Sequence, residues 1–132
     1  MNTEIKELTG EMNYNEKTTT KEIEKVEKEY NVNLPNDYKE FILESNGAEG
    51  PIGKESYLVI WPIDQIIELN NEYEVDEAQP GLIYFGSDGG DMAYAFDKTD
   101  NMSIIEIPFI SIDVNDKKVL GTNFKEFLKQ FN

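Results

Sequence analysis

The sequence predicts an α+β fold, a mixed, largely antiparallel sheet with helices packed on one side. Three observations predict it. Two helical periodicities come before the first convincing strand, a third helix follows it, then several short strands, and a helical face closes the chain. That order is not the strict alternation of a doubly wound sheet. The segments between Leu82 and Ile107 are joined by turns too short for parallel crossovers. Finally, 132 residues at 39% hydrophobic content supply one core, so a single domain over 1–132 is expected.

Each element has its own reason. Ile5 and Leu8 allow a short first turn. Thr20 to Tyr30 places Ile23, Val26 and Tyr30 on one stripe, with Thr19 and Glu22 as a capping box and Asn31 as the stop. Pro35 suits the first turn of the next helix, Tyr38, Phe41 and Ile42 form its face, and Gly47 is placed to close it. Ser56 to Trp61 is β-branched and aromatic, a strand ended by Pro62. Asp64 is positioned to cap a helix carrying Ile66, Ile67, Leu69 and Tyr73. Gln79-Pro80-Gly81 is a turn. Leu82–Phe85, Met92–Phe96 and Ile104–Ile107 form a meander, with Phe109–Val114 as a further strand. Asn123 and Glu126 cap a final helix whose Phe124, Phe127, Leu128 and Phe131 share one side.

Composition excludes much chemistry. The chain has no Cys and no His, and all 12 cations are Lys. Thiolate nucleophiles, disulfides, iron–sulfur clusters, histidine bases and the usual zinc sites are therefore absent. Without Arg there is no bidentate phosphate clamp. A net charge of -15 disfavours nucleic acid as a partner. No apolar run reaches membrane-span length and nothing in Met1–Lys21 resembles a targeting segment, so the cytoplasm is the expected compartment. The charge is uneven: residues 36–80 carry -9 and 81–116 carry -6, whereas 117–132 carry +3.

Several motifs, taken together, resemble a known family. Leu34-Pro35-Asn36-Asp37-Tyr38 with Phe41 and Ser45-Asn46-Gly47 is similar to the "LPxDYxxFL…NG" signature of the SMI1/KNR4 group in the SUKH superfamily. Glu22–Tyr30 resembles that family's acidic helix, and Trp61-Pro62-Ile63-Asp64 its strand ending in Trp. Phe85-Gly86-Ser87-Asp88-Gly89-Gly90-Asp91, continuing to Asp97, resembles its Gly-rich strand pair. Phe124–Phe131 resembles its closing helix, so the resemblance spans residues 20–131. It implies an α+β fold, no established catalytic residues, and a protein-binding role. Many bacterial members are immunity proteins that neutralise a toxin domain, often a nuclease or deaminase. Eukaryotic relatives are regulatory scaffolds tied to cell-wall synthesis.

Candidate sites follow from loops and charge. Ser87–Asp91 offers backbone N–H groups, but its two carboxylates and missing Lys make an anion unwelcome. Calcium through Asp88 and Asp91 lacks the alternating acidic pattern of an EF-hand, and a Gly/Asp-rich hairpin turn explains the segment most simply. Asp113 to Lys118 reads as a turn with a solvated basic end. Trp61, Tyr57, Tyr84 and Tyr94 are candidates for an aromatic platform, though strand aromatics are more often core. Alternation puts Tyr94 and Phe96 on one face and Ala93 and Ala95 on the other, leaving open which face the helices cover.

No cofactor or metal is expected. The leading expectation is an immunity-type protein without chemistry of its own, whose partner is a basic protein such as a toxin nuclease domain. Glu49, Glu55, Asp88, Asp91, Tyr94 and Asp97 are the expected contact residues. The alternatives are a regulatory scaffold and, more remotely, a hydrolase using two carboxylates.

Overall fold

The computed structural model describes residues 1–111 and 116–131. Helix α1 (Thr3–Leu8) is capped by the Asn2 carboxamide, which accepts from the Glu4 and Ile5 amides. A two-residue strand β1 (Asn13–Tyr14) precedes α2 (Thr20–Tyr30) and α3 (Asn36–Glu44). Next come β2 (Ala48–Ile52), β3 (Ser56–Ile60), a 3-10 turn (Ile63–Gln65) running into α4 (Ile66–Glu72), and α5 (Val75–Ala78). Then β4 (Leu82–Ser87), β5 (Met92–Asp97), β6 (Ser103–Pro108) and β7 (Lys118–Gly121) lead to α6 (Phe124–Lys129). The seven strands pair in sequence order, each antiparallel to its neighbour. The α+β class is as expected, and no parallel pair occurs among the described strands.

Strand alternation builds two cores. Leu58, Ile60, Ile83, Phe85, Tyr94, Phe96 and Ile104 join residues of α1, α2, α3 and α6 in the main one. Leu82, Tyr84, Ala93, Ala95, Ile105 and Ile107 face the other way, where Trp61, Leu69 and Val75 cover them. The helices thus pack mainly on one side, and α4–α5 shield part of the second face because it too is apolar. The open question of the alternating face is settled: Tyr94 and Phe96 turn into the main core.

At the centre, the Tyr38 ring meets Phe85, Phe96 and Phe124 edge-on at 5.6, 4.9 and 5.5 Å. Its neighbour Asp37 sets the position of α6. One Asp37 oxygen accepts from the Phe124 amide at 3.2 Å and the other from the Lys125 amide at 2.9 Å. Asn123 adds a third bond, accepting from the Glu126 amide at 2.8 Å. The orphan N–H groups and positive end of α6 are satisfied by a carboxylate from α3.

Several local expectations are corrected. Thr19 makes no side-chain capping bond, although Asn31 does end α2 in the left-handed region at φ 54°. Gly47 does not close α3, which ends at Glu44. Instead Gly47 admits a close crossing: a Cβ there would lie 2.5 Å from the Ile60 carbonyl oxygen. Asp64 is not a cap. It lies in the 3-10 turn and accepts from the Asn46 side chain at 2.9 Å, while the Asn46 oxygen accepts from the Ile63 amide at 2.7 Å. Phe109 and Ile110 form a bend after β6, with the Phe109 amide donating to the Asp91 carbonyl at 2.9 Å, and residues 112–115 of the expected further strand lie outside the described residues. The edge strand is Lys118–Gly121, where a solvated basic end was expected.

Buried polar groups act as staples. Asn70 donates to the Ile66 and Tyr84 carbonyls and accepts from the Tyr84 amide, pinning α4 to β4 as a neighbouring strand would. Asp97 is 1% exposed. It accepts from the Thr99 amide and hydroxyl at 2.9 and 2.6 Å and pairs with Lys117 at 2.7 Å. Burial alone would raise its pKa, but the bonds from Lys117 and Thr99 outweigh that and hold it below the usual carboxylate range.

Two predictions follow from this core. The Tyr38 hydroxyl is buried without a partner among the described residues, so Tyr38→Phe should raise unfolding stability by about 1 kcal/mol in urea titrations. Asp97→Asn should cost about 2 kcal/mol at neutral pH. Because the folded pKa of Asp97 is depressed, its contribution is complete above the unfolded value of about 3.9 and fades as pH falls through the folded one. Urea midpoints of wild type and Asp97→Asn should therefore converge in acid.

Candidate functional site

The β4–β5 hairpin is held by its own polar residues. One Asp88 oxygen accepts from the Gly90 and Met92 amides at 2.8 and 3.2 Å, and the Ser87 hydroxyl accepts from Gly89 at 3.1 Å. These bonds make the turn a backbone structure in its own right. Gly89 has φ +83°, and a Cβ there would sit 3.1 Å from the Tyr57 ring, so Tyr57 lies across the tip. The Tyr57 hydroxyl donates to Glu49 at 2.8 Å, which raises the pKa of the phenol. Glu49, Tyr57 and the hairpin tip are thereby linked across three strands.

Beside them lies a cleft of about 510 Å³ on the α6 side of the sheet. Its floor is a cross-strand row in register, Tyr94 on β5, Glu106 on β6 and Lys118 on β7. Glu55, Tyr57 and Asp88 line one side, and Gln130 and Phe131 from the end of α6 line another. Three of the expected contact residues, Glu55, Asp88 and Tyr94, thus converge here, and Glu49 reaches the rim through Tyr57. The Tyr94 ring packs against Phe127 and Phe131 at 5.0 and 5.8 Å. Burial, followed by the charges of Glu106 and Asp88, pushes its phenol pKa well up, so it stays protonated.

Asp91 and Asp97 go elsewhere. Asp91 is exposed beside a different depression, lined by Tyr73, Gly90, Pro108, Phe109 and Ile110. There Tyr73 stacks on Trp61 at 6.1 Å and meets Phe109 at 4.9 Å. Tyr73 is 49% and Ile110 95% exposed, so this is an aromatic and aliphatic patch open to a partner. Asp97 belongs inside the fold and drops out as a surface contact, because its carboxylate is engaged by Thr99 and Lys117. A further cavity of about 800 Å³, between α1 and the β2–β3 turn, holds none of the expected residues, and Lys54 and Lys129 offset its acids.

Sequence reasoning missed Glu106, Lys118, Phe109 and Ile110 as site residues. The strand register that sets Glu106 beside Tyr94 was the available signal for the first. The basic end after Asp116 concealed Lys118 on an edge strand.

The charges separate along the chain. Seven lysines stand on α1, α2, α3 and α6. Residues 55–97, from the start of β3 to the end of β5, contain ten carboxylates and no lysine. Among the described residues no three acidic side chains are arranged to hold a metal ion. No described helix is long and apolar enough to cross a membrane.

The motifs that carry the family resemblance are largely fold staples. Asp37 caps α6, Asn46 and Gly47 clamp the segment after β3, and Asp97 holds the β5–β6 turn. Gly86 admits the Val59 carbonyl, 2.4 Å from where a Cβ would stand. Among curated proteins nothing matches the chain. The model of the SMI1 / KNR4 family (SUKH-1), a family of immunity proteins to polymorphic toxins, matches residues 17–130, from just before α2 to the end of α6. The chain belongs to the SMI1/KNR4 (SUKH-1) family.

Proposed function

We propose that this chain is an immunity-type protein that acts in the cytoplasm, binds a cognate toxin domain with a cationic surface, and neutralises it by stoichiometric occlusion. It carries out no reaction of its own. Family membership supports the class of function, and the lysine-free acidic unit of residues 55–97 supports the chemistry of the partner. A toxin that cleaves or modifies nucleic acid must present a basic face to phosphate. An acidic body can dock on or beside that face and exclude the substrate. Its field would raise association rates toward roughly 10⁸ M⁻¹s⁻¹ at low salt and weaken as salt screens it.

Glu49, Glu55, Asp88 and Asp91 are the carboxylates we place at this interface, with Tyr94 at the floor of the cleft. Rim charges contribute little affinity by themselves, so an anchor is needed. Tyr73, Phe109 and Ile110 meet that need, as an exposed aromatic and aliphatic patch adjoining Asp91.

Two measurements test the proposal. Mixed with the toxin encoded beside its gene, the purified protein should abolish toxin activity at a one-to-one ratio. Undiminished activity in stoichiometric excess, with no heat of binding, rejects the reading. Tyr73→Ala should weaken the complex by about 2 kcal/mol in calorimetry while lowering the unfolding free energy from urea titration by only about 1 kcal/mol.

A further inference from the structure

The cleft beneath α6 combines features that a merely acidic surface lacks. Three carboxylates, Glu55, Asp88 and Glu106, line it against one ammonium, Lys118. Lys118 faces Glu106 in register but forms no ion pair among the described residues. Tyr94 is 2% exposed, its hydroxyl makes no hydrogen bond among the described residues, and it lines the cleft with Asp88 and Glu106. The residue is buried while its hydroxyl stays accessible from the cleft, where a ligand group can take the place of solvent. It has lone pairs for an incoming N–H and a proton to give to a carboxylate.

The walls are not uniformly polar. Leu120, Phe131 and the Tyr57 ring share the lining with the acids. Carboxylates beside apolar side chains suit a long side chain with an aliphatic stem and a cationic head. The Tyr57 ring also offers a face for cation–π contact. The carboxylates are not arranged to share a metal ion, which disfavours a bare divalent cation. The volume of about 510 Å³ is within the range of about 300–1,000 Å³ typical of specific clefts.

We infer that the cleft formed by Glu55, Tyr57, Asp88, Tyr94 and Glu106 is a subsite for one arginine or lysine side chain projecting from the partner protein. This rests on the toxin-binding reading for its biological partner, and on the cleft itself for its chemistry. The cationic head lies against Glu106 and Asp88, Tyr94 accepts one of its N–H groups, and the stem runs along Phe131 and Leu120. Lys118 stays on the floor and moderates the field, so the site selects a shaped cation over a diffuse one.

The test uses the full chain and two probes, Nα-acetyl-arginine amide and the isosteric, neutral Nα-acetyl-citrulline amide. Backbone amide spectra are recorded as each is titrated to tens of millimolar. The arginine probe should give saturable shifts centred on Glu55, Tyr57, Asp88 and Glu106, with citrulline binding about tenfold weaker or more. Tyr94→Phe should weaken the arginine probe about three- to tenfold, and a Glu55→Gln, Glu106→Gln pair should abolish saturation. The same spectra report whether each variant remains folded. Absent saturation, equal response to both probes, or shifts spread over the whole acidic surface would overturn the subsite. Toxin neutralisation by wild type is measured separately. Neutralisation without probe docking removes the subsite and leaves the immunity reading standing. Probe docking without neutralisation does the reverse.

Discussion

The Asp37 carboxylate binds the two halves of the molecule together. It is on α3, and its oxygens cap the first turn of α6, 87 residues away at Phe124. That bond sets where Phe124 meets Tyr38 and where Phe127 and Phe131 descend on Tyr94. Both the main core and one wall of the acidic cleft depend on this placement. A helix of six residues has little stability of its own, so its position is owed to capping and to its buried aromatic side. The family-like motif Leu34-Pro35-Asn36-Asp37-Tyr38 is therefore intelligible as mechanics: Pro35 starts α3, Asp37 holds α6, and Tyr38 fills the centre.

Charge is distributed with the same economy. The helices over the main core carry most of the lysines, several paired with glutamates, as Lys39 is with Glu27 and Lys129 with Glu4. The strands β3 to β5 and the α4–α5 cover carry acids without cations. The helical segments are thereby nearly self-compensated, and the β3–β5 segment, whose Glu55 and Asp88 reach the α6 side, is left as a source of field. The division costs the fold little, since the acids of α4 and α5 are exposed, while the buried Asp97 has its own cation.

Much of this was legible in the residues. Helices α2 and α6 were marked by apolar stripes, β4 to β6 by short runs between turns, and the acidic excess by simple counting. What was not legible has a common physical cause: it depends on partners distant in the chain. The Pro51-containing strand β2 carries no strand signal and forms because β1 and β3 pair on either side of it. Asn70 looks like any polar helix residue until Tyr84 is found against it. Asp97 looked like a surface acid because nothing nearby in sequence announced Lys117 as its partner. At the candidate site, loop position and charge located Glu55 and Asp88, but only strand register could set Glu106 and Lys118 beside Tyr94. The second-face aromatic patch escaped because Tyr73 reads as a helix core position and yet half emerges.

The sheet order, β1 through β7 without a crossover, has a kinetic corollary. Each strand pairs with the one before it in sequence, and β2–β3, β4–β5 and β5–β6 are short hairpins whose closure costs little loop entropy. The distant closures are β1 onto β2, β3 onto β4, and the docking of α6 onto α3 and α1. Such an order favours early hairpins within the sheet, with the helix-spanning pairings and the roof to follow. For a protein whose proposed duty is to be ready before its adversary is active, rapid maturation would matter as much as final affinity.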